Sequence, residues 1–281
     1  MKSFASQSNF LKTNCMKILI IGGGNMGTTY AHAFLRSHVS TRNDLFILEK
    51  SPEKATELAK QDIGTVFGEP EECLRQADLI ILAVKPQDSQ ALFQRIKPLA
   101  DGQQVFLSIM AGVKIKSIAE ALGVRKIIRA MPNLPAQIGM GMTAFTSTDE
   151  VTRIELVTVQ NLINTTGKSI YVANENLIDA ATAISGSGPA YVFFFMNALI
   201  EAARKLGFNE SESELLVSQT LKGAVDLFHS ADFSCDEWIQ KVASKGGTTE
   251  AALRSYSQTS LFQDIISGAE AAMQRAVELG N

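Results

Sequence analysis

Cysteine, histidine and tryptophan are scarce in this chain, at three, three and one among 281 residues. Cys15, Cys73 and Cys235 are widely spaced and odd in number, so the sequence predicts no disulfide and no zinc site and fits a reducing, cytoplasmic compartment. His32, His38 and His229 are scattered, and none has a second histidine or a cysteine three or four residues away, which removes metal chemistry from the expectations. Charge of either sign is never concentrated. With 26 basic and 29 acidic residues and a net charge of −3, there is no electrostatic footprint for nucleic acid or a membrane surface. The expected partners are small molecules and a second copy of the chain. Long apolar runs are missing too: Ala190 to Ile200, interrupted by Asn197 and closed by Glu201 and Arg204, is too short to span a bilayer and reads as a buried helix. Residues 1–15 contain Lys2 and Lys12 but neither arginine nor acid, unlike a targeting peptide, and are expected to be a disordered extension.

What is present is an alternation of short β-branched runs with helical stretches, the signature of a parallel sheet with crossover helices. Strands are predicted at Lys17–Ile21, Leu45–Glu49, Leu79–Val84, Val105–Ser108 and Lys126–Ala130, with two more at Thr143–Thr146 and Lys168–Val172. Helices are predicted near Met26–Ser37, Pro52–Lys60, Pro70–Gln76, Asp88–Lys97, Ile115–Leu122 and Asp149–Asn164. From Glu175 to Leu279 nearly everything reads as helix, with breaks at Gly186–Pro189, Gly207–Asn209, Ser230–Ser234 and Gly246–Gly247. The expected class is therefore α/β: a Rossmann-type dinucleotide-binding domain over 16–168, followed by an all-α domain over 169–281. After Pro189 the apolar residues Tyr191 to Met196, Leu199 and Ile200 cover every side of two turns. An amphipathic helix needs only one such face, so burial against a second copy is expected.

Gly22-Gly23-Gly24-Asn25-Met26-Gly27 satisfies G-x-G-x-x-G between a predicted strand and a predicted helix. The first glycine permits the turn, the second admits a pyrophosphate to the backbone, and the last lets helix and strand pack closely. Glu49 closes the second strand 22 residues after Gly27, where an acid can hold an adenosine ribose. Lys85, at the end of the third predicted strand, stands where it could face phosphate, ribose or nicotinamide. The prolines of Met131-Pro132-Asn133-Leu134-Pro135 make a stiff loop at another strand end. Far downstream, Ser244-Lys245-Gly246-Gly247-Thr248-Thr249 offers backbone N–H groups and hydroxyls suited to a small carboxylate.

Taken with Ala83-Val84-Lys85-Pro86, Arg129-Ala130-Met131-Pro132-Asn133 and Ser185-Gly186-Ser187-Gly188-Pro189-Ala190-Tyr191, these motifs make the chain resemble pyrroline-5-carboxylate reductase from about Met16 onward. The resemblance implies reduction of 1-pyrroline-5-carboxylate to L-proline by NADP(H) or NAD(H), and a helical domain that pairs with a second subunit, often with dimers assembled into a larger ring. It implies that Ile21, Gly22, Gly23, Gly24, Asn25, Met26 and Lys50 contact the pyrophosphate and the adenosine ribose side, and that Val84, Lys85 and Ala111 line the nicotinamide end. Glu175, Thr248 and Thr249 fall at its substrate positions, with Ser244 and Gly247 beside the carboxylate and Lys241 near the cofactor or the base of the loop. Thr249 is the implied catalytic residue, hydrogen-bonded to the ring nitrogen. Lys245 departs from the family's usual proline, Glu49-Lys50 from neutral residues, and Pro70 stands near an asparagine that some members use.

A protonated cyclic imine is already electrophilic, so alignment for hydride transfer is the main catalytic task, and the lack of a His or Cys constellation is expected. Glu49 should repel a 2′-phosphate and Lys50 attract one, so both cofactors are expected to work with neither preference extreme. Two other readings compete. A hydroxyacid dehydrogenase of related two-domain architecture would need a general base, for which Lys205, Lys222, Lys241 and Lys245 are available. A non-catalytic redox sensor or pyridoxal-phosphate-binding protein is opposed by the intact dinucleotide fingerprint.

Overall fold

The computed structural model describes residues 16–280, so the expected N-terminal extension lies outside the described residues. The chain divides into two units, the first running to Ile178 and taking in Leu279 onward, the second spanning Asp179–Glu278. The division thus falls ten residues beyond the expected 168, because the last strand and the segment after it belong with the sheet.

In the first unit, strands β1 (Ile18–Ile21), β2 (Leu45–Leu48), β3 (Thr65–Phe67), β4 (Leu79–Leu82), β5 (Val105–Ser108), β6 (Ile127–Met131), β7 (Gly141–Ser147) and β8 (Gly167–Tyr171) form one sheet in the order β3-β2-β1-β4-β5-β6-β7-β8. All neighbours are parallel except β6 and β7. Every residue of β1, β2, β4 and β5 is buried, which is why these strands read as unbroken apolar runs rather than alternating ones. Ile18 and Ile20 face a core layer shared with Tyr30 and Phe34 of helix α1 (Asn25–Arg36). Leu19 and Ile21 face the opposite layer, with Phe93 and Ile96 of α3 (Ser89–Ile96) and Ile118 and Leu122 of α4 (Ile115–Leu122). Between α1 and α3 in sequence lies α2 (Pro52–Lys60), and α5 (Arg153–Asn164) returns Val159, Leu162 and Ile163 to the first layer.

Three local differences from the sequence expectation have simple causes. Strand β3 is three residues long at the sheet edge and only partly buried, so it leaves no apolar run to read. The predicted helix at 70–76 is two 3₁₀ turns, Pro70–Glu72 and Leu74–Gln76, separated by Cys73 at φ −129°. Helix α5 starts at Arg153 rather than Asp149, because Thr152 and Glu155 form a reciprocal capping box that fixes the first turn.

Helix α6 (Asn176–Ala181) leads through a π-helical turn, Thr182–Gly186, into α7 (Gly188–Lys205), followed by α8 (Glu210–Phe228), α9 (Cys235–Val242), α10 (Thr248–Gln258) and α11 (Leu261–Leu279). Gly207 at φ +106° and the Asn209–Glu212 capping box separate α7 from α8, while the Ser234–Glu237 box opens α9. The break between α10 and α11 turns on Ser260 at φ +59°, with no glycine or proline to announce it.

No residue of α7, α9 or α10 is buried within the single chain. Phe193, Phe194 and Phe195 stand exposed, Phe194 by 80%. A continuous apolar surface of this kind marks an interface. By length and composition alone, the run Asn176–Lys205 is also apolar enough to cross a membrane.

Candidate active site

The sheet order reverses between β1 and β4, and a cleft of about 440 Å³ opens there at the carboxyl ends of the strands. Ligands of open α/β sheets bind at such a switch point, because the connections on either side leave in opposite directions. Its lining brings together seven of the residues expected to hold a dinucleotide: Ile21, Gly22, Gly24, Glu49, Lys50, Val84 and Lys85. Asn25 opens α1 and lines a neighbouring polar groove with Thr28 and His32. Ala111 follows β5, half-buried and one residue before Gly112.

The three glycines of the fingerprint have separable roles. Gly22 sits at φ +110°, and a side chain there would also meet the Ala83 carbonyl oxygen at 2.7 Å. At Gly27 an added Cβ would lie 2.0 Å from the Gly22 carbonyl oxygen, so this position is closed by backbone. Gly24 is different. Nothing lies within 4 Å of where its Cβ would stand, and it is the N-cap of α1 with no side chain capping the helix. The open approach at Gly24, beside the unpaired N–H groups of a helix start, is the shape and polarity a pyrophosphate requires. The residues present therefore fit a bound dinucleotide.

Glu49 is 8% exposed and held at both carboxylate oxygens. Gly23 N–H donates to Oε2 at 3.1 Å and Ser51 N–H to Oε1 at 3.0 Å. Lys50 is paired with another residue of the cleft lining, its Nζ 3.1 Å from Asp88 Oδ1. Lys54, Asp88 and Arg95 belong to no motif of the sequence, yet all three line the cleft. Lys54 and Asp88 lie at the starts of α2 and α3 and Arg95 in the last turn of α3, helix ends where charged residues are common, so position in sequence offered no sign of them. Pro70 also lines it, and its ring has no hydrogen-bonding group.

In the second unit the loop Ser244–Gly247 leads into α10. Gly246 sits at φ +74°, and a Cβ on Gly247 would meet the Ser244 Oγ at 2.7 Å, so two small residues are needed for this turn. Gly247 N–H donates to the Ser244 carbonyl at 3.0 Å, and Gly246 N–H donates to Glu250 Oε2. Not all of the loop's amides are therefore open to an anion. Thr248 and Thr249 begin α10, so their N–H groups have no partner within the helix and, with the hydroxyls of Ser244, Thr248 and Thr249, form the available donor set.

Glu175 and Lys241 are both engaged. Glu175 Oε1 accepts from Arg129 Nη1 at 2.9 Å and from Ile115 N–H at 2.8 Å, tying β6 to the start of α4. Arg129 is 1% exposed, the largest fully buried side chain of the described residues. Lys241 Nζ lies 4.2 Å from the centroid of the Phe233 ring, which packs edge-on against Trp238. Among the described residues no cluster of three His, Cys, Asp or Glu side chains could hold a metal ion. Burial pushes the Cys73 thiol up to about 12, with Glu72 and Glu71 adding to the shift, so it is not a nucleophile.

The match to known proteins follows the two units. A family model described as pyrroline-5-carboxylate reductase dimerisation matches residues 175–279, and one described as NADP oxidoreductase coenzyme F420-dependent matches residues 17–112. The pyrroline-5-carboxylate reductase of Staphylococcus saprophyticus is 32% identical over 271 residues, covering 95% of this chain and 98% of its own. That of Pseudomonas aeruginosa is 32% identical over 265 residues, covering 94% and 96%. The crystal structure of Plasmodium falciparum pyrroline carboxylate reductase with NADP bound superposes with a TM-score of 0.86 at 30% identity, over 95% of this chain and 98% of that one.

Proposed function

The chain belongs to the pyrroline-5-carboxylate reductase family, and on that premise we propose how its residues divide the work. It reduces 1-pyrroline-5-carboxylate to L-proline with NAD(P)H, the final step of proline biosynthesis. A hydroxyacid dehydrogenase is not favoured. Its C-terminal domain is a dimerisation domain, and the active enzyme forms dimers.

The reaction consumes one hydride and one proton: a C–H bond forms at the imine carbon, the C=N π pair becomes the nitrogen lone pair, and the nitrogen keeps its proton. A dinucleotide held in the cleft would supply that hydride. For the chain's own residues the work is positioning. Ile21 to Gly27 cradle the pyrophosphate, Glu49 and Lys50 meet the adenosine ribose, and Val84, Lys85 and Ala111 border the nicotinamide. The Thr248 and Thr249 N–H groups and the Ser244 hydroxyl hold the substrate carboxylate against the turn at Gly247, and the Thr249 hydroxyl orients the ring nitrogen. The open amides at the start of α10 carry this reading. Glu175, held by Arg129 and the Ile115 N–H, is a substrate residue, and Lys241 steadies the base of the loop through Phe233. The apolar run 176–205 is covered by a second copy rather than by lipid, since Asp179, Asn197, Glu201 and Arg204 interrupt it; dimers assemble further into a ring, and the enzyme is cytoplasmic.

Replacing Thr249 by alanine tests the site. Thr249→Ala is expected to lower kcat/KM by about 1–3 kcal/mol of transition-state binding, with NAD(P)H affinity nearly unchanged. Wild-type kinetics in steady-state assays of that variant would remove Thr249 from the mechanism.

A further inference from the structure

Glu49 and Lys50 are adjacent at the end of β2, and the sequence leaves open which of them faces a ribose. The two side chains are not equivalent in the fold. Glu49 is buried and clamped by two backbone N–H groups, one of them from Gly23 inside the dinucleotide turn. An ionised carboxylate has about four acceptor sites, so two remain for O–H donors after these bonds. Because Glu49 lines the cleft, those sites are offered to a ligand there. A ribose with free 2′ and 3′ hydroxyls supplies two such donors. A 2′-phosphate supplies none and brings nearly two negative charges against a carboxylate that cannot swing away.

The surrounding cations do not offset this. The Lys50 side chain is 76% exposed and already paired with Asp88. Arg95 is paired with Glu69 and lies 3.9 Å from Glu71. The start of α2 is closed as well: Ser51 accepts from Lys54 N–H and donates to Glu53 Oε2, so this helix end presents a capped hydroxyl and a further carboxylate. Lys54 has no ion pair among the described residues, but it is an exposed side chain on a flexible stem, where attraction to a phosphate is heavily screened. The balanced preference expected from the sequence therefore tilts.

We propose that Glu49 selects the cofactor and makes this enzyme prefer NADH to NADPH. The inference rests on the reading of the cleft as the NAD(P)H site. Its test is direct titration of the purified full chain with NADH and with NADPH, followed by nicotinamide fluorescence, alongside kcat/KM for each cofactor. The wild type is expected to bind NADH at least about tenfold more tightly. Glu49→Gln, which keeps an acceptor but removes the charge, is expected to move the ratio toward NADPH by about tenfold or more, whereas Lys50→Ser is expected to move it toward NADH by less than about threefold. Equal binding of the two cofactors, or tighter binding of NADPH, overturns the role of Glu49 and leaves the cleft reading standing. Binding of neither overturns both. Should Glu49→Gln fail to fold, the wild-type ratio alone decides.

Discussion

Phe194→Asp is expected to abolish the dimer and the activity with it. Phe194 is 80% exposed on α7 of the single chain, in a row with Phe193 and Phe195. Burying a phenylalanine contributes about 1.5–3 kcal/mol, and a twofold interface counts the loss once on each copy. A carboxylate in its place adds the cost of taking an unpaired charge out of water. The consequence reaches the substrate loop. Within one chain α9 and α10 bury no residue, so without a partner little packing holds Ser244–Thr249 in shape. Light scattering at low micromolar concentration should show wild-type dimers or larger assemblies, and a variant that is aggregated or inactive. A soluble, active monomeric variant would contradict this.

Two alanine substitutions five and two residues after Gly22 should part company. Gly27→Ala sets a methyl 2.0 Å from the Gly22 carbonyl oxygen, so α1 must move off β1. Overpacking of this kind costs about 1–3 kcal/mol, and Gly27→Ala should lose both melting temperature and cofactor affinity. Gly24→Ala has 4 Å of clear space and an extended backbone at φ −78°, so the fold should lose no more than about 1 kcal/mol. That clear space is where the pyrophosphate passes, and the methyl should weaken NAD(P)H binding by roughly a hundredfold. Thermal denaturation together with cofactor titration separates the two cases. Unchanged binding in Gly24→Ala would mean that the cofactor does not cross this turn.

The central strands were legible in the sequence because a strand buried on both faces has to be apolar throughout, as Ile18–Ile21 and Leu79–Leu82 are. The breaks expected at Gly207–Asn209 and Ser230–Ser234 coincide with capping boxes in the structure, Asn209 and Ser234 each standing three residues before a glutamate. Edge strand β3 and the turn at Ser260 carry no such chemistry and passed unnoticed. The cofactor turn was readable because its spacing is local. Its electrostatics were not, since Glu49 bonds to a glycine 26 residues earlier and Lys50 pairs with an aspartate 38 residues later. The same holds for Glu175, whose bond to Arg129 spans 46 residues and comes from the topology of the sheet.

The most direct test of the whole account is turnover by the purified chain with NADH and NADPH against 1-pyrroline-5-carboxylate, with 3-hydroxyisobutyrate and 6-phosphogluconate assayed in parallel with NAD+ and NADP+. Oxidation of the reduced cofactor matched one for one by L-proline formation, with neither hydroxyacid turned over, is the expected result. Turnover of a hydroxyacid while 1-pyrroline-5-carboxylate stays inert, or tight cofactor binding with no turnover at all, would contradict it.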